Sequence, residues 1–117
     1  MTEFRQSVVL TDDGAEHVYA IPESGTQICR VMLQVVGADP GGPNTITLEG
    51  CVGSATTYVN VGFTTAGVLG VLSADGILFY ERNFPIKLQV RYTLAATGVV
   101  TLYWMGTKAE RLTRTDY

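Results

Sequence analysis

Residues Ile86-Lys87-Leu88-Gln89-Val90-Arg91-Tyr92-Thr93-Leu94 alternate apolar and polar without a break. Successive side chains of an extended chain point to opposite faces, so this segment is a strand with one face in a core and one in water. A helix would scatter these apolar residues around its whole circumference. The same period recurs at Cys29, Val31, Leu33 and Val35, separated by Arg30, Met32 and Gln34, with Met32 the one apolar residue at a polar position. Thr45 to Glu49 and Val99 to Met105 repeat the pattern, the latter rich in β-branched and aromatic residues that suit a pleated surface.

Shorter candidate strands fill the intervals at Ser7 to Thr11, His17 to Ile21, Tyr58 to Phe63 and Ile77 to Arg82. Val68 to Leu72 is apolar without alternation, as expected of a strand buried on both faces or of a packed loop. Asp13-Gly14 and Asp75-Gly76 are dipeptides that accept positive φ in tight turns. Asp39-Pro40-Gly41-Gly42-Pro43 excludes a central strand, and Ala96-Thr97-Gly98 reads as a short hairpin. About eight short strands with no helical period predict an all-β, antiparallel two-sheet β-sandwich, jelly-roll-like. A chain of 117 residues makes one domain. Residues 1–6 and 106–117 are expected to be extended N- and C-terminal arms, and the polar stretch Thr107 to Thr113 lacks the apolar stripe of a packed helix.

Charged residues are only 16 % of the chain, against roughly a quarter in typical soluble domains. Part of the surface therefore lies against a partner or another copy, or else it is a neutral Thr- and Gly-rich β surface. A net charge of −3 with only Lys87 and Lys108 as lysines argues against nucleic acid, which calls for clustered cations. No apolar run approaches the roughly 18 residues of a membrane span, and Met1 to Gln6 lacks a signal peptide's layout. The expectation is a protein made in the cytoplasm with no membrane partner. Cys29 and Cys51 are then reduced and serve as buried small hydrophobes, the alternative being a single bridge.

Catalytic chemistry is hard to place on these residues. His17, the one histidine, is a general base for Cys29 or a histidine on the solvent face of a strand, and the second reading is preferred. Asp12, Asp13 and Asp75 lie in turns and share a calcium site only if those turns meet. Gly41 and Gly42 sit between prolines with no helix start behind them, so they cradle no phosphate. Glu49 with Glu81, or Glu16 with Glu23, are the available carboxylate pairs. The expectation is no enzyme, no metal and no cofactor.

The aromatic residues carry more. With Val100, Leu102 and Trp104 toward the core, Tyr103 and Met105 point outward, and Phe79-Tyr80 poses the same choice. An outward tyrosine stacks on a sugar, anchors a protein interface or sits under a loop or arm, and methionine beside it suits a protein partner.

The segment Asn44-Thr45-Ile46-Thr47-Leu48-Glu49-Gly50-Cys51-Val52-Gly53, continuing through Thr57-Tyr58-Val59-Asn60-Val61, resembles a phrase of small tailed-bacteriophage virion proteins. Phe84 to Met105, two strands around Thr97-Gly98, is similar to the closing hairpin of the same sandwiches. The resemblance covers roughly the second half of the chain. It implies a structural virion protein made in the host cytoplasm: a capsid decoration protein, or a neck or tail accessory protein. It also implies a homotrimer that grips capsid or tail proteins with terminal arms. Phe4, Arg111 and Tyr117 in the arms, with Tyr103 and Met105, are the expected interface residues. The competing expectation is a carbohydrate-binding or receptor-binding β-sandwich module.

Overall fold

The structure, a computed structural model, describes residues 3–38, 44–82, 86–95 and 98–108. It contains β1 (Glu3–Leu10), β2 (Glu16–Ala20), β3 (Ile28–Val36), β4 (Thr45–Cys51), β5 (Val59–Asn60), β6 (Gly76–Glu81), β7 (Lys87–Thr93) and β8 (Val100–Lys108). Two antiparallel four-stranded sheets pack face to face, in the orders β1-β8-β3-β6 and β2-β7-β4-β5. We call them sheet A and sheet B.

That order has a simple origin. β1 pairs with β8, β2 with β7, β3 with β6 and β4 with β5, as in one long antiparallel ribbon with β4 and β5 at its bend. Rolling the ribbon up brings β3 beside β8 and β4 beside β7. This is the eight-stranded jelly roll, the more specific of the sandwich topologies expected from the strand count.

Alternation decides which side chains fill the sandwich. Val31, Leu33, Val35, Leu78, Val100, Leu102 and Trp104 of sheet A meet Ile46, Leu48, Leu88, Val90 and Tyr92 of sheet B in one buried core. In β3 the pairing slips between Ile28 and Arg30, and this bulge lets Ile28 and the following Cys29 both be buried. Cys29 and Cys51 are free thiols, as expected, each with a backbone carbonyl near its sulfur: Thr107 for Cys29 and Ala55 for Cys51.

Three local expectations change. β7 and β8 do not form the expected hairpin, because β7 belongs to sheet B and β8 to sheet A; residues 96–97 lie outside the described residues. Alternation marks a strand but does not name its neighbour, and among the described residues only β4–β5 is a chain-adjacent pair. Residues 3–6 and 106–108 are not arms: Glu3 pairs with Thr107 and Gln6 with Trp104, so these residues belong to strands β1 and β8 of the sandwich. Residues 1–2 and 109–117 lie outside the described residues. Gly14 has the positive φ expected of it, whereas Gly76 opens β6 without one. Of the two readings of Val68 to Leu72 the loop is found and the strand is not, with Val68, Leu69 and Val71 exposed.

That loop, between β5 and β6, covers one side of the sandwich. Phe63 exchanges two backbone hydrogen bonds with Phe79 of β6, at 2.8 and 3.0 Å. Leu72 does the same with Ile46 of β4, both at 2.9 Å. The opposite side has no such cover: among the described residues no strand pairs with the second edge of β1.

Candidate protein-binding face

The outer face of sheet A follows from register alone. One row across the sheet reads Arg5, Met105, Met32, Phe79, and the next reads Ser7, Tyr103, Gln34, Ile77. A third row holds Val9, Thr101 and Val36, and a fourth holds the positions of Thr107, Arg30 and Glu81. Met32 is 48 % exposed, Tyr103 49 %, Val9 64 % and Val36 41 %. Single exposed apolar side chains are ordinary on any protein surface. Here they lie close together on three adjacent strands, β1, β8 and β3, with the half-buried Ile77 and Phe79 of β6 beside them.

Two open grooves score this face and meet at Met32 and Met105. The smaller, about 180 Å³, lies between Met32, Phe79 and Met105 with Arg30 and Glu81 at its lip. The larger, about 380 Å³, lies between Arg5, Met32, Ile77, Tyr103 and Met105. Apolar floors with charged lips suit the side chains of another protein, and flexible methionines adapt to them. With strands ~4.8 Å apart and outward residues ~7 Å apart along each strand, the face covers on the order of 450 Å². Its apolar members take up part of that area, roughly 300 Å², at the lower end of the largest apolar patches on monomers, which are often functional.

The outer face of sheet B is built differently. Glu49 accepts hydrogen bonds from Gln89 Nε2 at 2.9 Å and from Arg91 Nε at 3.0 Å, and Arg91 also donates to Glu16 at 3.2 Å. Its hydrogen bond to Glu49, first among several causes, holds the Arg91 guanidinium further up. The polar groups at the centre of this face are paired with one another. The contrast between the two faces singles out sheet A.

The expected interface residues divide accordingly. Tyr103 and Met105 do point outward from β8, on this face. Phe4 does not join them: it is half-buried on the inner side of β1 and packs against the core, so it is a core-edge residue and not a gripping one. Arg111 and Tyr117 lie outside the described residues. Sequence reasoning missed Met32, Phe79, Val9 and Val36 as members of the face. Met32 had left a signal, as the apolar residue that broke the alternation of its strand. Tyr80 is the buried member of its pair with Phe79, and burial pushes its phenol up.

The candidate catalytic groups are not brought together. His17 is on the inner side of β2, not its solvent face: its ring lies 5.7 Å from that of Tyr92, and Nε2 is 2.8 Å from Asp13 Oδ1. Cys29 is on the other sheet, against Thr107. Glu49 and Glu81 are on opposite outer faces, and Glu16 is taken up by Arg91. Asp75 accepts the Ala38 amide at 2.7 Å, and the described residues contain no group of three or more His, Cys, Asp or Glu able to hold a metal ion. Residues 41–42 lie outside the described residues.

Asp13 yields a pH prediction. Its carboxylate accepts the Ala15 amide at 3.0 Å and faces His17, and these contacts, the amide first, hold it below the ordinary carboxylate range. A value lowered by folding contributes stability above the ordinary range, and the contribution is lost as pH falls through the lowered value. Asp13→Asn should therefore melt below wild type at pH 6, with the gap closing below about pH 4. Thermal melts at both pH values check this, and a gap independent of pH contradicts it.

No family model matches the chain, and no curated protein or solved structure matches it either.

Proposed function

We propose that this chain is a non-catalytic assembly protein that docks on other protein subunits through the outer face of sheet A. The observation that carries the proposal is the contrast between the two outer faces: one gathers exposed apolar side chains around Met32, Met105 and Tyr103, with Ser7 and Gln34 among them, and the other centres on a paired polar network of Glu49, Gln89 and Arg91. The virion resemblance supplies the setting, a capsid decoration protein of a tailed bacteriophage acting as an oligomer. Jelly rolls recur in viral capsid proteins, which agrees with that setting, although a fold by itself does not assign a function. A face of this size gives modest affinity per copy, and many copies on a shell hold through avidity.

Glycan binding is the second reading, favoured by the exposure of Tyr103 beside Gln34 in the register. It requires polar groups around the ring, whereas Met105 and Met32 occupy the next row.

The test is co-sedimentation with capsid shells from the phage that encodes the chain, stripped of accessory proteins. Wild type should saturate the shells. Met32→Lys should weaken binding at least about ten-fold by placing a charge in the apolar centre. Val18→Lys, on the outer side of β2, should bind as wild type does. A wild-type protein that fails to sediment with shells contradicts the virion setting, and Met32→Lys binding normally contradicts the docking face.

A further inference from the structure

We propose that the edge of β1 that no strand pairs with among the described residues pairs antiparallel with β1 of a second copy, joining two sheets A into one continuous sheet. This rests on the docking face proposed above and explains how it becomes large enough to work. β1 is eight residues long and keeps register with β8 from Glu3 to Leu10 without a bulge. Proteins ordinarily guard such an edge with bulges, prolines, charges or a covering segment. Sheet A's other edge is covered by residue 63, and sheet B's outer strand β2 has only five residues. Between Phe4 and Leu10, β1 carries no proline and a single charge, Arg5.

Self-pairing also meets the geometric conditions. A two-fold axis perpendicular to the sheet keeps outward residues outward, so odd positions pair with odd and even with even. With Ser7 on the axis, Arg5 meets the second copy's Val9, Gln6 meets its Val8 and Phe4 meets its Leu10. No like charges oppose, and Val9, 64 % exposed, gains the stem of Arg5 as a neighbour. The joined outer faces cover on the order of 900 Å², whereas one alone, on the order of 450 Å², falls short of the roughly 800 Å² per partner of a stable interface. An isologous edge contact closes at two copies, so it replaces the trimer that the resemblance implies.

Light scattering over a range of concentrations reads the mass. Wild type should approach twice 12.6 kDa as concentration rises. Ser7→Lys places two ammonium groups across the axis and should raise the dissociation constant at least about ten-fold with an unchanged melting curve. Ser7→Cys should form a covalent dimer under mild oxidation while wild type does not, because facing residues of an antiparallel pair lie ~4.5–5.5 Å apart, within disulfide reach. A monomer at every concentration, a trimer, or a dimer indifferent to both changes overturns the edge pairing. Met32→Lys should leave the dimer mass intact, so failure of the docking face and failure of the edge are read separately.

Discussion

Gly37→Ala should cost about 3 kcal/mol or more, a large share of the roughly 5–15 kcal/mol that holds a domain together. Gly37 follows β3 at φ 100°, a conformation that L side chains rarely adopt and that costs them about 1–3 kcal/mol. A Cβ there would also overlap the backbone carbonyl oxygen of Val99 and crowd its carbonyl carbon, at the entry to β8. Backbone cannot swing aside as a side-chain tip can, so the start of a central strand must shift. Gly14→Ala is the control: φ is 80°, but nothing lies within 4 Å of an added Cβ. It should cost only about 1 kcal/mol, the conformational part alone. Urea denaturation of both variants checks this, and equal losses contradict the overlap at Val99.

Trp104→Ala should be comparably damaging, about 3–5 kcal/mol. Trp104 is 4 % exposed on the inner side of β8, the strand flanked by β1 and β3. Removing its ring leaves a cavity between the sheets that strand backbones, hydrogen-bonded on both sides, cannot collapse to fill. The indole also does polar work: Nε1 donates to Tyr19 Oη at 3.2 Å, and that hydroxyl donates to Gln6 Oε1 at 3.1 Å. This chain ties β8 to β2 and β1 across the open side of the sandwich. Trp104→Phe should therefore lose about 1–2 kcal/mol, part of it shared with Tyr19→Phe. Chemical denaturation of the two single variants and the double reads the shared part, and strictly additive losses contradict the hydrogen bond's contribution.

Much of the fold was legible because a strand's two faces are written locally. β7 and β3 could be read residue by residue, and the inward turn of Leu102 and Trp104 with the outward turn of Tyr103 came from parity alone. Pairing is not local. β8 and β7 are neighbours in sequence and lie in different sheets, whereas β8 and β1 come from the two ends of the chain. No residue type at 96–98 distinguishes a hairpin from a crossing between sheets. The same limit shaped the reading of the candidate face. Tyr103 and Met105 were found on their own strand, but Phe79, Met32 and Val9 become their neighbours only through the register. Phe4 was misassigned because β1 begins with Glu3, Arg5 and Gln6, whose polarity looks like a solvated arm until β8 is beside it. His17 was misplaced because Glu16, Val18 and Ala20, the exposed residues of β2, differ in polarity, and alternation there does not mark the inner face.

The central claim, that the outer face of sheet A is covered by another protein in the working assembly, is tested most directly by methionine oxidation. Protein free in dilute solution and protein bound to capsid shells are treated briefly with hydrogen peroxide, and sulfoxide at Met32 and Met105 is quantified by mass spectrometry. Met32, 48 % exposed in the free chain, should oxidise readily there and be protected several-fold on the shell. Equal oxidation of Met32 in both states would contradict the account, since a thioether buried in an interface cannot react as one in water does.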